Sequence, residues 1–434
     1  MTMSKTSKQQ WLLLPVLCWF VSWPFVKLDP AENLTLGLRE KALLTQLPFG
    51  LFYQDLPQQP LAAQALVSFK DQELQDIKNT ILPNQALEIQ SLIYREDGTP
   101  LFTLKDGSHI LASRSLVYDN QVLTAETLDQ SFFIQPGAQF YKEFPTAQTK
   151  PASVPYKPYQ QVRIVQKLTY PRGSFAVTDK GEYVAWSSLS QEDNRIQRVQ
   201  ELLEQKYQEE GLGIYVKQLE TQQVAGVKLD QIMYSASITK LPYLYYVQKQ
   251  VLDGTLKWTD TFLYKKETED YDGAYDPAGT GSLPKEPDGK NYSLKELEEK
   301  AAKESDNVAH NILGYYGTDS SNQDFHQEIR QIVGQTWDVV DREVSPQMAG
   351  FLMEAIYDQQ GELLEMLKQT NFDDQRIPKD LPVPVAHKIG DADDFHHDAA
   401  IVFAKSPYVL VVFTENKEMD LIARISKDIY EVLK

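Results

Sequence analysis

Ser237-Ile238-Thr239-Lys240 runs directly into Leu241-Pro242-Tyr243-Leu244-Tyr245-Tyr246-Val247, and this stretch decides how the chain is read. The apolar run predicts a largely buried helix, and Pro242 is tolerated because it lies near the helix start. In a first helical turn, residues three apart share a face, so the Lys240 amine can reach the Ser237 hydroxyl. A lysine held in a low-dielectric cleft has a lowered pKa and can take the serine's proton. The helix N-terminus adds favourable potential for a developing anion. The string alone is weak. Ser282-Leu283-Pro284-Lys285 also fits it, but Pro284 and the surrounding glycines and prolines place that copy in a loop.

Two further strings follow. Ser305-Asp306-Asn307 comes after the helix-like Leu294–Lys303 and before Val308–Tyr316, which places it at a helix junction. Its plainest reading is an Asp/Asn helix cap. His387-Lys388-Ile389-Gly390 follows the strand-like Val383–Ala386, and Lys388 alone reads as an edge-strand lysine. In this order the three strings resemble the active-site set of the penicillin-recognising serine enzymes, closest to class A β-lactamases.

The resemblance covers about residues 195–434, and what it implies is acyl transfer through a serine ester. Ser237 would be the nucleophile and Lys240 the general base, a contribution of roughly 10²–10⁴ in rate. Ser305 would relay a proton to the leaving group, and Asn307 would donate to the substrate amide. Lys388 would add positive potential, while Gly390 would let substrate lie against the strand edge. The backbone N–H groups of Ser237 and Asp391 would form the oxyanion hole. No cofactor and no metal is expected.

The order of elements agrees with that family. Ile196, Val199, Leu202, Leu203 and Tyr207 recur at helical spacing, and Gly211 stops the helix. Strand-like Leu212–Leu219 and Val224–Val227 follow. Ala399–Ala404 and Tyr408–Thr414 are strands near the end, before a helix from about Met419 to Leu433. The expected fold is α+β, with the terminal helices packed on an antiparallel sheet and a helical subdomain beside it.

Departures from the family pattern bear on the substrate. The third string usually carries a hydroxyl residue after its lysine, which helps to hold a β-lactam or peptide carboxylate; here Ile389 cannot donate. The glutamate on a long loop that activates the deacylating water has no clear counterpart. Trp337-Asp338-Val339-Val340-Asp341-Arg342-Glu343 runs almost directly into the next helix. Glu343 reads as a remnant of that glutamate or as a carboxylate at the helix N-terminus. Weak β-lactam turnover is expected. After Gly390 come Asp391, Asp393, Asp394, His396, His397 and Asp398, which would repel anions and favour an amine-bearing substrate, such as an alanyl ester on a wall polymer. His396 and His397 are adjacent, so on a strand they point to opposite faces, a poor arrangement for one metal ion. The loop Tyr264–Tyr292 carries Tyr271, Tyr275 and Tyr292 among acidic residues. It reads as a cleft wall suited to a sugar or polymer, or as a solvated acidic loop.

The rest of the chain adds context. Of the 434 residues, 42% are apolar, enough for at least one large core. A net charge of −18 makes nucleic acid and anionic lipid poor partners. The single cysteine, Cys18, excludes an internal disulfide and a zinc ribbon. Trp11–Val26 is apolar apart from Ser22 and follows Lys5 and Lys8, which fits an uncleaved signal anchor with the remainder outside a bacterial cell. The expected division is an anchor over 1–26, a stalk over 27–85, β modules over 86–150 and 151–192, and the catalytic domain over 193–434. Short helices are expected at Leu34–Gln46 and Asp71–Leu82. The two modules repeat a pattern of alternating strands broken at Gly98, Gly107, Gly173 and Gly181, and resemble SH3-like wall-binding modules or serve as plain spacers. Two functions compete: a wall-facing serine acyl hydrolase, and a wall-binding protein whose hydrolase-like domain is retired. Expected partners are the membrane, a cell-wall polymer or peptide, and a β-lactam.

Overall fold

The structure, a computed structural model, describes residues 51–318 and 322–434. The run Trp11–Val26 and the helix expected over Leu34–Gln46 lie outside the described residues. Among the described residues no helix is long and apolar enough to cross a membrane. The described residues form two compact units, 51–121 with 146–148, and 122–145 with 149–318 and 322–434.

The first unit is an antiparallel sheet in the order Ile77–Ile81, Leu66–Phe69, His109–Leu111, Pro100–Leu104, Ile89–Tyr94. Phe102, Leu104, Ile110 and Ile81 close its core with Tyr53 and Val117. The strands on either side of Gly98 and Gly107 form the expected meander, and both glycines have positive φ. Two expectations are corrected. The stretch read as stalk contributes the strands Leu66–Phe69 and Ile77–Ile81 to this sheet. The helix expected over Asp71–Leu82 is a turn followed by a strand, because the Asp71 carboxylate accepts the N–H groups of Gln75 and Asp76 and closes a loop.

In the second unit a six-stranded antiparallel sheet runs in the order Leu189–Ser190, Thr124–Ile134, Gln161–Tyr170, Gly173–Thr178, Tyr183–Ala185, Phe140–Tyr141. The boundary expected at 150 therefore moves. Thr124–Ile134 pairs along Gln161–Tyr170, so residues 122–145 belong with the second sheet.

The remainder of the second unit is the α+β plan. Five antiparallel strands lie in the order Val224–Val227, Leu212–Gln218, Tyr408–Glu415, Phe395–Val402, Val385–Ala392. Tyr408, Leu410 and Val412 face the core shared with the helices Arg195–Lys206 and Asp420–Leu433. Val409, Val411 and Phe413 face the opposite core, with the helices Leu241–Leu252, Leu294–Lys303 and Pro346–Gln359. Strand alternation thus explains a continuous apolar run, since both faces of the sheet are covered. The segment after Trp337 stays short. Glu343–Val344 pairs with Met233–Tyr234, and Ser345 then caps the helix Pro346–Gln359.

Candidate active site

Ser237 lies on a single turn of 3-10 helix, Ala236–Lys240, which leads into the helix Leu241–Leu252. The turn is strained at its entry, because Ala236 has φ +47°, a region that costs a non-glycine residue roughly 1–2 kcal/mol. Surrounding bonds hold it. Ile238 N–H donates to Ser235 O, Ser235 N–H donates to Arg342 O, and the Ser235 and Thr239 hydroxyls meet at 2.7 Å. Ser237 is half-buried.

Lys240 is fully buried. Its Nζ lies 2.5 Å from Ser305 O, 2.6 Å from Asn307 Oδ1 and 3.4 Å from Ser305 Oγ. Burial, and then the nearby Lys388 ammonium, push its pKa well below the usual lysine range. A neutral amine has two N–H donors and one lone pair. In the neutral form the two short bonds would engage both donors, and the lone pair would remain to accept a proton. Ser237 is not among the partners of Lys240 in this state.

Ser305 is held between two lysines. Lys388 Nζ is 2.8 Å from Ser305 Oγ and 2.9 Å from Ile389 O. Burial, with the Arg376 guanidinium second, lowers Lys388 to about 7. Ser305 has φ +56°, a second strained residue, and this bend turns its side chain and its carbonyl toward the two amines. Asn307 Nδ2 donates to Asp276 O at 2.8 Å, which leaves one amide N–H for another acceptor. Asp306 acts as the helix cap, accepting Ala309 N–H, and also takes the N–H groups of Ser282 and Leu283.

Thus Lys240, Ser305, Asn307 and Lys388, far apart in sequence, form one connected cluster beside the Ser237 turn. Gly390 packs against that turn. A Cβ there would lie 2.5 Å from Ser235 O and 3.0 Å from Ile238 Cγ1, so the glycine is required by this chain's own backbone. The Asp391 carboxylate pairs with Arg376 Nη2 and, at 2.7 Å, with His396 Nδ1.

Several expectations change here. Glu343 is exposed and sits in the short ladder opposite Tyr234, before the Ser345 cap, so it is not a first-turn carboxylate of the next helix. Tyr275 and Tyr292 are buried, so they offer no sugar-stacking surface. The second Ser-x-x-Lys string is structural, with Lys285 Nζ on the carbonyls of Gly279 and Gly281 and Ser282 Oγ accepting from Lys300. Both ring nitrogens of His397 are occupied. Nε2–H donates to Tyr234 O, and Nδ1 accepts from Thr414 N–H. Among the described residues no group of three or more His, Cys, Asp and Glu side chains is placed to hold a metal ion.

Three neighbours have contacts that the sequence reading did not assign, although it named Tyr275 as part of a cleft wall and quoted Arg342 in passing. Tyr275 lies under Lys240, with Nζ 4.5 Å from the ring centroid. Arg342 lies 3.8 Å from the same centroid. Arg376 is buried beside Asp391, with its Nε and Nη1 unpaired. Each comes from a connecting segment with no periodicity. The only available signal was its nearness to a residue already singled out.

The α+β fold and the lysine–serine–lysine cluster define a β-lactamase-like serine hydrolase domain. The chain belongs to the beta-lactamase enzyme family, whose model matches residues 194–433. No curated protein matches the sequence. Similar solved structures include PBP-A, at 20% identity and TM-score 0.46, covering 55% of this chain and 96% of that one. A beta-lactamase from Chitinophaga pinensis DSM 2588 is 22% identical, with TM-score 0.46, covering 56% and 100%. The TLA-1 extended spectrum beta-lactamase is 19% identical, with TM-score 0.45, covering 56% and 98%.

Proposed function

We propose that the protein is a serine acyl hydrolase that works through a Ser237 acyl-enzyme. Lys240 takes the Ser237 proton as Oγ attacks the carbonyl carbon of an ester or amide. The oxyanion forms against the N–H groups of Ser237 and Asp391. The bond to the leaving group then breaks, and the proton passes from Lys240 through Ser305 to that group. Asn307 and Lys388 bind the acyl donor, and water later hydrolyses the serine ester. The observation that carries this reading is the placement of Lys240: buried, its pKa pushed well below the usual lysine range, and bonded to Ser305 O and Asn307 Oδ1 beside the Ser237 turn.

Deacylation of a β-lactam is expected to be slow, because Glu343 is exposed and the segment after Trp337 is short. Ile389, which has no hydroxyl to hold a carboxylate, favours a neutral or amine-bearing acyl donor over an anionic one. This reading includes anchoring by residues 1–26 and a wall-facing position. The β sheets over 60–190 serve as SH3-like wall-contacting modules.

The test is intact mass of the protein after incubation with a penicillin and with an alanyl p-nitrophenyl ester, followed over hours beside Ser237→Ala. The expected outcome is a lasting penicillin adduct on the wild type only, with ester cleavage that Ser237→Ala abolishes. Unmodified protein, intact drug and equal ester rates in both would refute the proposal.

A further inference from the structure

We propose that Tyr275 is the positioning residue that ties the nucleophile turn to the general base. The inference rests on the reading of Ser237 and Lys240 given above, and it concerns a residue outside all three strings.

Besides Arg342 at 3.8 Å from its ring centroid and His310 edge-on to it, Tyr275 makes three contacts that carry the inference. Its phenol donates to Ala236 O at 2.8 Å, so it holds the strained residue immediately before Ser237. Its ring lies under the Lys240 ammonium position at 4.5 Å. Its backbone is locked on both sides by one side chain: Tyr275 N–H donates to Asn311 Oδ1, and Asn311 Nδ2 donates to Tyr275 O, each at 2.8 Å. Asn311 belongs to the helix Asn307–Leu313 that starts in the second string. One tyrosine therefore links the serine turn, the lysine and the Ser305–Asn307 segment.

The chemistry gives the ring a task. When Lys240 takes the serine's proton it becomes a buried ammonium. The charged groups facing it are Lys388 from the sheet, Arg342 from the segment after Trp337, Lys285 from the loop and Asp306 at the helix cap. His310, packed edge-on to Tyr275 at 4.9 Å, also faces it and is held neutral by burial. Asp306 alone among these is anionic, and three N–H groups already engage it. The aromatic face supplies favourable potential to the transient cation in this dry site. It makes Lys240 a stronger base without placing a carboxylate that would keep it permanently protonated.

The experiment measures the labelling rate of Ser237 by a fluorophosphonate probe against pH, on the full chain. Tyr275→Phe keeps the ring and loses the Ala236 bond, so the rate should fall several-fold with the pH midpoint unchanged. Tyr275→Leu loses both, and the midpoint should move down by about one pH unit, with a lower plateau. Lys388 keeps its surroundings in both variants. Replacing Tyr275 by phenylalanines of increasing fluorine content preserves shape, and the midpoint should fall with each step. That series decides the matter if Tyr275→Leu does not fold. A midpoint that stays fixed through it would overturn the inference, as would wild-type rates in Tyr275→Phe. A wild type that is not labelled, like Ser237→Ala, would bring down the acyl-enzyme reading itself.

Discussion

Three basic side chains of the third string and its partner strand are buried, and each is charged differently. Burial opposes the charge on His387, but Asp398 and Asp373 on its two ring nitrogens outweigh it and raise the pKa to about 9. Burial lowers Lys388 to about 7 and His397 to about 4. For His387 the folded pKa exceeds the unfolded value, so its stabilisation is complete below about pH 6.5 and is lost as pH rises through 9. His387→Asn should therefore cost up to about 3 kcal/mol at pH 6 and little of this ionic part at pH 10. Urea melts of the variant and wild type at the two pH values check this, and a pH-independent difference would refute it. None of this was legible in the sequence. His387 was quoted only as the residue before Lys388, because its partner Asp398 is set by strand pairing rather than by spacing along the chain.

At the scale of elements, Ser305-Asp306-Asn307 joins a helix cap to the lysine cluster. Asp306 is the helix cap, while its neighbours on either side turn toward the lysines. The cap also pins the loop after Tyr275 through Ser282 and Leu283. Asp306→Ala would leave two buried N–H groups, Leu283 and Ala309, and the part-buried Ser282 N–H without their acceptor, and should destabilise the protein by about 3 kcal/mol. The midpoint of urea unfolding should fall with its slope unchanged. A loss below about 0.5 kcal/mol would mean that the loop is held by other contacts. The helices and strands of residues 195–434 were readable because apolar residues recur at periods that each element imposes locally. Where local chemistry competed, periodicity failed. Asp71 closes a turn inside a stretch with helical texture.

For the whole molecule, charge and fold act together. A net charge of −18 draws cationic molecules at long range, whereas the Asp391 carboxylate is already paired with Arg376 and His396. Cleavage of a cationic p-nitrophenyl ester should exceed that of a neutral one at about 0.05 M salt, and the advantage should shrink several-fold by about 0.5 M. A ratio that does not respond to salt would confine any preference to direct contacts; equal rates throughout would end the charge argument. The sequence by itself singled out Ser237, the two lysines and the serine–asparagine pair as candidates and determined the α+β order, since each is written in short spacings that any helix or strand must obey. It also showed the lack of a hydroxyl after Lys388 and the brevity of the segment after Trp337. Only the tertiary structure decided that Lys240 meets Ser305 and Asn307, that Tyr275 lies beneath it, and that Asp391 is paired with Arg376. Those pairings join residues 15 to 67 positions apart. They follow from packing both faces of one sheet, which no local pattern encodes.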